Sequence, residues 1–599
     1  MEATTRLILT FACAGVLAAS ARAQSTQQAD APTTNGSAIV VPADAPMPDD
    51  ERLTLDLAPP RPLGFTGAAA IGTQKGQDDF LAIPDRWRIG LPPGYLEDVR
   101  ASTGDLTNPY RQNVLKGDYP IVGQDKFLVV TLTSDTLVEG RKLPVPSGTS
   151  TLGPDSLDFF GRGDQIIFNQ NFVLAIEYFQ GDAAFKPRDF EIRLTQVYNF
   201  NYAQVEELGG TNVDVRKGRS RLDNAYAWQE AFFEKHLGDL SNDYDFYAVR
   251  AGIQGFNADF RGFLYNDNNA GVRFFGNLDG NRYQYNLAWF HQLDKDTNSG
   301  LNTFTFRDQD VFIANLYRQD FLGFMGYTAQ VSLAANIDRG DIEFDSNDVL
   351  VRPQPIGVIN EKNVEAYYVG WAGDGKFGRF NVTHQFYQAF GREENSAFAA
   401  EDTSINAQFF AIELSYDQDW RRYRASFLYQ SGDSDPEDGQ ATGFDGIFDN
   451  PNFAGGGFNY FTRQAIRLTG AGVNLTSRNS TYANLRTSKE QGQANFVNPG
   501  LLLYNIGFDA EITPRLKWIN NLSYLQFADP EVLQLVLNDD NIERDIGIDI
   551  STGVIYRPLL NNNLIVNAGV SVLVPGSGFQ ALYTADTLYS AFISMTLTY

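Results

Sequence analysis

Residues 586–599 read DTLYSAFISMTLTY, in which Tyr589, Ala591, Ile593, Met595, Leu597 and Tyr599 alternate with Leu588, Ser590, Phe592, Ser594, Thr596 and Thr598. Successive side chains of an extended chain point to opposite faces, so this alternation is that of a strand. One face is wholly apolar and ends on an aromatic; the other is mostly serine and threonine. That division suits a wall with lipid on one side and a wet lumen on the other. A soluble β-sandwich could end on the same pattern, and the remainder of the chain has to decide between the two.

Working outward, further period-2 stretches fall near 126–138, 165–180, 188–203, 224–237, 244–256, 269–277, 282–293, 308–319 and 323–337, and then near 363–372, 377–390, 405–416, 421–431, 500–512, 516–527, 543–556 and 562–574. With 586–599 that makes about eighteen, an even number within the range of single-chain membrane barrels. The connections alternate between short and long. Short ones include Leu278-Asp279-Gly280-Asn281, Gly373-Asp374-Gly375-Lys376, Asp417 to Trp420 and Thr513-Pro514-Arg515; long ones include 139–164, 204–223, 338–362 and 432–499. Asp-Gly pairs supply the positive φ of tight hairpins. A sandwich has no reason to keep such an alternation, whereas a barrel with both termini in the periplasm requires it. The expected fold is all-β: a transmembrane, antiparallel, up-and-down barrel over 126–599.

Alternation also assigns faces. In 405–416 (INAQFFAIELSY), Phe410, Ile412, Leu414 and Tyr416 share one face, leaving Glu413 and Ser415 on the other. A charge at mid-membrane on the lipid face costs roughly 2–4 kcal/mol, so Glu413 is expected to line the lumen. The same parity places Arg193, Arg250, Gln254, Arg273, Arg379, Arg422, Arg424, Asp509, Glu511, Asp545 and Asp549 inside as pore-lining candidates, and puts Trp289, Trp518, Tyr524 and His384 outside. Both signs of charge are present inside. They either segregate into a transverse field or neutralise one another along the wall, and sequence leaves that open. A bore of this size is too wide for side chains alone to fill, so it must be a channel or carry a plug.

The N-terminus is of a different kind. Residues 1–23 combine Arg6, an apolar run from Leu7 to Ala19 and Ala21-Arg22-Ala23, the parts of a secretory signal. Residues 24–83 are expected to form a disordered periplasmic tail, since Ala, Pro, Thr, Ser and Asp prevail without sustained periodicity. Residues 84–125 are irregular and rich in aromatics and proline, either a plug or a linker. Beyond the signal no window holds the roughly twenty apolar residues of a spanning helix. The one cysteine is Cys13, so the mature chain has no disulfide or thiolate site. A net charge of −26 with 47 Lys and Arg argues against a nucleic-acid partner.

The long connection 432–499 begins with Asp433, Asp435, Glu437 and Asp438 and passes through Gly455-Gly456-Gly457 to an alternating stretch near Ala465 to Leu475. A loop of this length either folds into the pore or extends outside, and infolding is the favoured reading. No glutamate follows at the twelfth position of its acidic start, so a solvated face is favoured over a calcium site. Asp529-Pro530 opening Glu531 to Leu537 reads as a short capped helix. His236, His291 and His384 lie on different strands with no partner at ligand spacing, and no nucleophile elbow, phosphate loop or dinucleotide fingerprint occurs. No catalytic residue, metal or cofactor is expected.

Gln229-Glu230-Ala231-Phe232-Phe233-Glu234, Leu237-Gly238-Asp239 and Arg250-Ala251-Gly252-Ile253-Gln254 resemble the alginate-export family of outer-membrane barrels. The resemblance implies a porin-like channel in the cell outer membrane, with Arg250 and Gln254 lining the pore. In such barrels a terminal aromatic like Tyr599 is similar to the signal read by the barrel-assembly machinery, a further expected partner besides outer-membrane lipids and small solutes or saccharides. That family passes an acidic polysaccharide through an arginine-rich lumen, and the carboxylates counted above dilute such a field here. The function expected is passive passage of small polar or anionic solutes or saccharides. The alternative is a structural barrel with a plugged lumen and partner-binding outer loops.

Overall fold

In the computed structural model, residues 114–143, 163–464 and 492–599 are described, apart from positions 119, 124, 182–186, 209, 213, 244, 349, 354–358, 397, 400–401 and 561 within loops. The readings made for 1–113, and for the alternating stretch near Ala465 to Leu475, lie outside the described residues.

Eighteen antiparallel strands close into one barrel. They are β1 (Lys126–Lys142), β2 (Asp164–Gln180), β3 (Phe190–Val205), β4 (Ser220–Asp239), β5 (Phe246–Asn257), β6 (Asn266–Leu278), β7 (Tyr283–Lys295), β8 (Asn302–Arg318), β9 (Tyr327–Asp338), β10 (Val364–Phe377), β11 (Phe380–Glu393), β12 (Thr403–Gln418), β13 (Arg421–Gln430), β14 (Leu501–Thr513), β15 (Leu516–Gln526), β16 (Asp545–Tyr556), β17 (Leu564–Pro575) and β18 (Leu588–Thr598). Each pairs with its neighbours in sequence. The stretch that opened the sequence reading is the closing strand: β18 pairs with β1 from Thr133↔Thr598 to Arg141↔Ser590. Over that span the two terminal edges of the sheet pair with each other. Below Thr133 the edge of β1 runs on past the chain end, and there Leu115 accepts a hydrogen bond from the Val130 amide while Lys116 sits 4.1 Å from the Tyr599 ring centre.

Short turns gather at one end of the barrel and all the long connections at the other, although 258–265, 296–301 and 394–402 at that end are also brief. One predicted turn is corrected. Gly373-Asp374-Gly375-Lys376 lies within β10, and the chain reverses at Gly378-Arg379, where Gly378 has φ 63°. The glycines of β10 answer a packing need: a Cβ on Gly373 would strike the Tyr327 hydroxyl, and one on Gly375 the Gly326 carbonyl. Arg379 therefore leaves the inward face. It is a turn residue whose Nη1 donates to the Tyr416 hydroxyl at 3.2 Å.

A second correction concerns Asp545. The β15–β16 ladder steps from Leu525↔Gly547 to Gln526↔Asp545, so Ile546 is an extra residue and parity flips across it. Ile546 turns inward and is fully buried, while Asp545 stands on the outward side near Tyr524.

Among the described residues, three short helices lie in the long connections: α1 (Tyr460–Gln464), α2 (Glu531–Leu537) and α3 (Ser577–Leu582). The residue before α2 is Pro530, with no side-chain cap, so the expected Asp529 cap is not made. The main apolar cluster lies inside the barrel toward the long-loop end. There the wall residues Phe290, Tyr368, Tyr387 and Phe409 meet Phe263 and Leu264 from the β5–β6 connection and Phe444, Phe448, Phe453 and Phe461 from 431–500.

Candidate functional site: the lumen and its constriction

The outer face carries Leu132, Phe172, Tyr198, Leu287, Phe312, Leu333, Trp371, Leu414 and Ile506, all exposed, with Trp289, Trp518 and Tyr524 among them. Leaving so much contiguous apolar surface to water would be strongly unfavourable, whereas a bilayer is its natural solvent. No helix among the described residues is long and apolar enough to cross a membrane; the apolar outer face is carried by the strands.

Inside, two segments cross the bore. The first is the short β5–β6 connection, 258–265, whose shape is fixed by Asp259. Its carboxylate accepts from the backbone amides of Arg261, Gly262, Phe263 and Leu264 and from the Tyr387 hydroxyl. Burial pushes this carboxyl above its ordinary value, and the four amides pull the other way. The Ala258 carbonyl accepts from Asn315 and Gln330 on β8 and β9. Arg261 then reaches to β11 and β12, with Nη2 2.9 Å from Thr383 Oγ1 and 3.0 Å from Glu413 Oε1.

The second segment is the first part of 431–500, which folds inward as favoured. It runs beside the first, with Ile447 and Phe448 amides donating to the Leu264 carbonyl and the Asn450 amide to Gly262. It then crosses to the seam of the barrel. The Ala454 amide donates to Glu413, the Phe461 amide to Asp549 at 2.8 Å, and Arg463 and Gln464 to Glu139 on β1. Glu139 also accepts from Ser590 on β18, so one carboxylate ties the infolded segment to both strands of the closure. Arg141 joins Gln165 to Gln464.

Toward the short-turn end the bore carries charged side chains in pairs. Arg193 contacts Glu177 and Glu191, both at 2.9 Å; Arg250 pairs with Glu234 at 2.5 Å; Arg422 with Asp417 at 2.5 Å; Arg424 with Asp509 at 2.9 Å. Lys517 lies 3.2 Å from Asp509 and 3.8 Å from Glu511. Arg273 bonds to Asn286 and lies over Phe275, with no ion pair among the described residues. Of the two open arrangements, neutralising pairs are the one found.

The candidates thus divide. Arg193, Arg250, Arg273, Arg422, Arg424, Asp509 and Glu511 stand on inward positions near the short turns. Gln254 faces inward but is fully buried, donating to the Gly271 carbonyl at 3.2 Å. Glu413 and Asp549 are held by the infolded segments. Arg379 and Asp545 are not inward. Sequence reasoning missed Asp259, Arg261, Glu139, Arg141 and Arg463. Glu139 and Arg141 continue the inward parity of β1 and lie just past the strand end drawn from sequence; nothing local marks the other three.

No protein-family model matches the chain, and no curated protein matches it. Among solved structures it is similar to OccK5 (OpdH) of Pseudomonas aeruginosa, 9% identical over 79% of this chain and 97% of that one, TM-score 0.39. It is similar also to a BenF-like porin from Pseudomonas fluorescens Pf-5, 12% identical over 79% and 98%, TM-score 0.41, and to OccAB2 of Acinetobacter baumannii, 11% over 79% and 98%, TM-score 0.42. At such scores every residue role has to be argued from this chain itself.

Proposed function

We propose that the protein is a passive outer-membrane channel, without catalytic chemistry, for small polar or anionic solutes or saccharides. The observation that carries this reading is the wall itself: an apolar outer face, and an inner face that keeps paired but partly exposed charges below a constriction made by 258–265 and 431–464. A large closed barrel of this kind belongs in the cell outer membrane, where lipids surround it and the assembly machinery inserts it. Residues 1–23 would direct export and 24–83 remain a tail.

An alginate-export-like role finds less support. Its two carried-over residues are engaged elsewhere, Arg250 with Glu234 and Gln254 with backbone carbonyls. A narrowed, charge-paired lumen suits small solutes better than a polyanionic chain. The plugged-barrel alternative has its own observation, the apolar packing of both infolded segments across the bore. The two readings separate in planar bilayers. The channel reading expects stepwise conductance from the folded full-length chain; a barrel that stays silent even when 443–496 is replaced by a short Gly/Ser linker would exclude it.

A further inference from the structure

The short connection between β8 and β9, 319–326, reads Gln-Asp-Phe-Leu-Gly-Phe-Met-Gly. Asp279-Gly280-Asn281-Arg282 and Gly378-Arg379 are polar turns, and others expose one or two apolar side chains, Trp420 in one and Leu559 with Leu560 in another. In 319–326 Leu322, Phe324 and Met325 are exposed, Met325 to 85%. The turn is built, not slack. Asp320 accepts from the Gly326 amide at 2.7 Å and, through its carbonyl, from Gly323, and Leu322 is held at φ 56°, a conformation that residues with a Cβ seldom adopt.

Its direction is fixed by rings. Phe324 packs on Phe377 with centroids 5.0 Å apart, Phe377 on Tyr327 at 4.8 Å, the Tyr327 hydroxyl bonds to His384 at 2.6 Å, and His384 lies 4.5 Å from Trp371. All of these but Phe324 belong to the outward faces of β9, β10 and β11. The turn therefore bends over the outer wall, not under the mouth of the lumen, and its apolar tip continues the apolar belt. Arg318, at the outward end of β8, lies over the Tyr283 ring at 4.8 Å. A cation and aromatics above an apolar tip is the chemistry of a lipid headgroup boundary.

We propose that 319–326 is a membrane anchor that inserts Leu322, Phe324 and Met325 into the lipid leaflet on the short-turn side. The proposal rests on the outer-membrane reading above, and its test keeps the two apart. In a Cys13→Ser background, Met325→Cys is nitroxide-labelled in the folded full-length chain and placed in phosphatidylethanolamine/phosphatidylglycerol vesicles. Leu333→Cys on the outward face of β9 and Arg282→Cys in a polar turn serve as references. Power-saturation EPR then compares collision with oxygen, which prefers lipid, against a water-soluble nickel chelate.

The expected result is an oxygen-dominated signal at 333 and 325 and a chelate-dominated one at 282. A lipid-like 333 with a water-like 325 overturns the anchor alone. A water-like 333 overturns the membrane reading. A label at 325 shielded from both reagents would mean that protein, a second copy or a periplasmic partner, covers the turn, and that too overturns it. Leu322→Cys repeats the measurement if labelling at 325 disturbs folding.

Discussion

At the long-loop end of the barrel, Lys295 and Asp267 are each 1% exposed and Arg352 and Asp338 not at all, whereas at the short-turn end Arg422 and Asp417 are 45% and 43% exposed. The pairs use the same chemistry and stand on the same inward parity or in loops folded onto it. What separates them is the chain laid over them. Infolded segments and outer loops seal the upper charges among Tyr265, Phe290 and Phe448, while below them Arg422 and Asp417 face open bore and Arg250–Glu234 and Arg424–Asp509 are partly covered. Breaking a sealed pair leaves a buried charge without compensation, but an exposed pair is largely screened. The upper half is therefore where the structure is held and narrowed, and the lower half is where solutes meet charge.

The largest expected effect comes from removing what seals the upper half. Replacing 443–496 by a short Gly/Ser linker takes away Phe444, Phe453, Phe461 and α1, and unit conductance in planar bilayers should rise severalfold. An unchanged conductance would place the narrowest point elsewhere and break the comparison. Next is stability. Arg352→Ala should destabilise the barrel by about 3–5 kcal/mol because Asp338 stays buried, against about 0–1 kcal/mol for Arg422→Ala. Denaturant unfolding of the two variants in parallel measures the difference, and equal midpoint shifts would deny it.

The division between the halves also explains what could be read from the sequence. Strands were legible because a wall with lipid on one side and water on the other imposes a period of two, and all eighteen were placed from it. Parity put Glu413, Arg424, Asp509 and Asp549 on the face opposite the exposed Leu414, Tyr423, Ile506 and Ile548, and all four are paired with neighbouring strands or infolded segments. It failed where a local event resets the count: the extra Ile546 sends Asp545 outward, and the reversal at Gly378-Arg379 takes Arg379 out of the strand. Gly373 and Gly375 look like turn glycines but serve close packing against Tyr327 and Gly326, a tertiary need that no local pattern shows. What fills the lumen was legible only as a loop too long to be idle. That Arg261 reaches Glu413, and that Phe461 rests on Asp549, depends on contacts far apart in sequence.

A smaller effect is expected with pH in the connection after β13. Asp433 is held beneath the Asn498 carbonyl, bonded by Thr442 and the Asp435 amide, with Asp435 and Asp438 nearby. Burial pushes its carboxyl up to about 7. An acid raised in the folded state favours the protonated form there. Its contribution is present below the ordinary aspartate value and is lost as pH climbs toward and through about 7. Amide exchange at 433–444, corrected for intrinsic rate, should therefore quicken from pH 5 to 8, and Asp433→Asn should flatten the trend. A trend that survives the substitution would assign the pH response to another group.

The smallest effect concerns selectivity, because most of the lower charges, Arg273 apart, already have an ionic partner. Removing Arg422 and Arg424 by substitution with Ser leaves Asp417 uncompensated, whereas Asp509 keeps Lys517 at 3.2 Å. Arg422 and Asp417, nearly half exposed, act through water and are screened within about 8 Å at physiological salt, whereas Arg424 and Asp509 are only 12% and 9% exposed. The double variant should shift the reversal potential in a salt gradient modestly toward cations. Arg379→Ser should leave it unmoved, since that side chain stands in a turn against Tyr416 and does not face the bore. A shift from Arg379→Ser as large as that from the double variant would mean that solutes feel the turn end of the barrel as much as its wall, and the distinction between a sealed upper half and an open lower half would then not govern permeation.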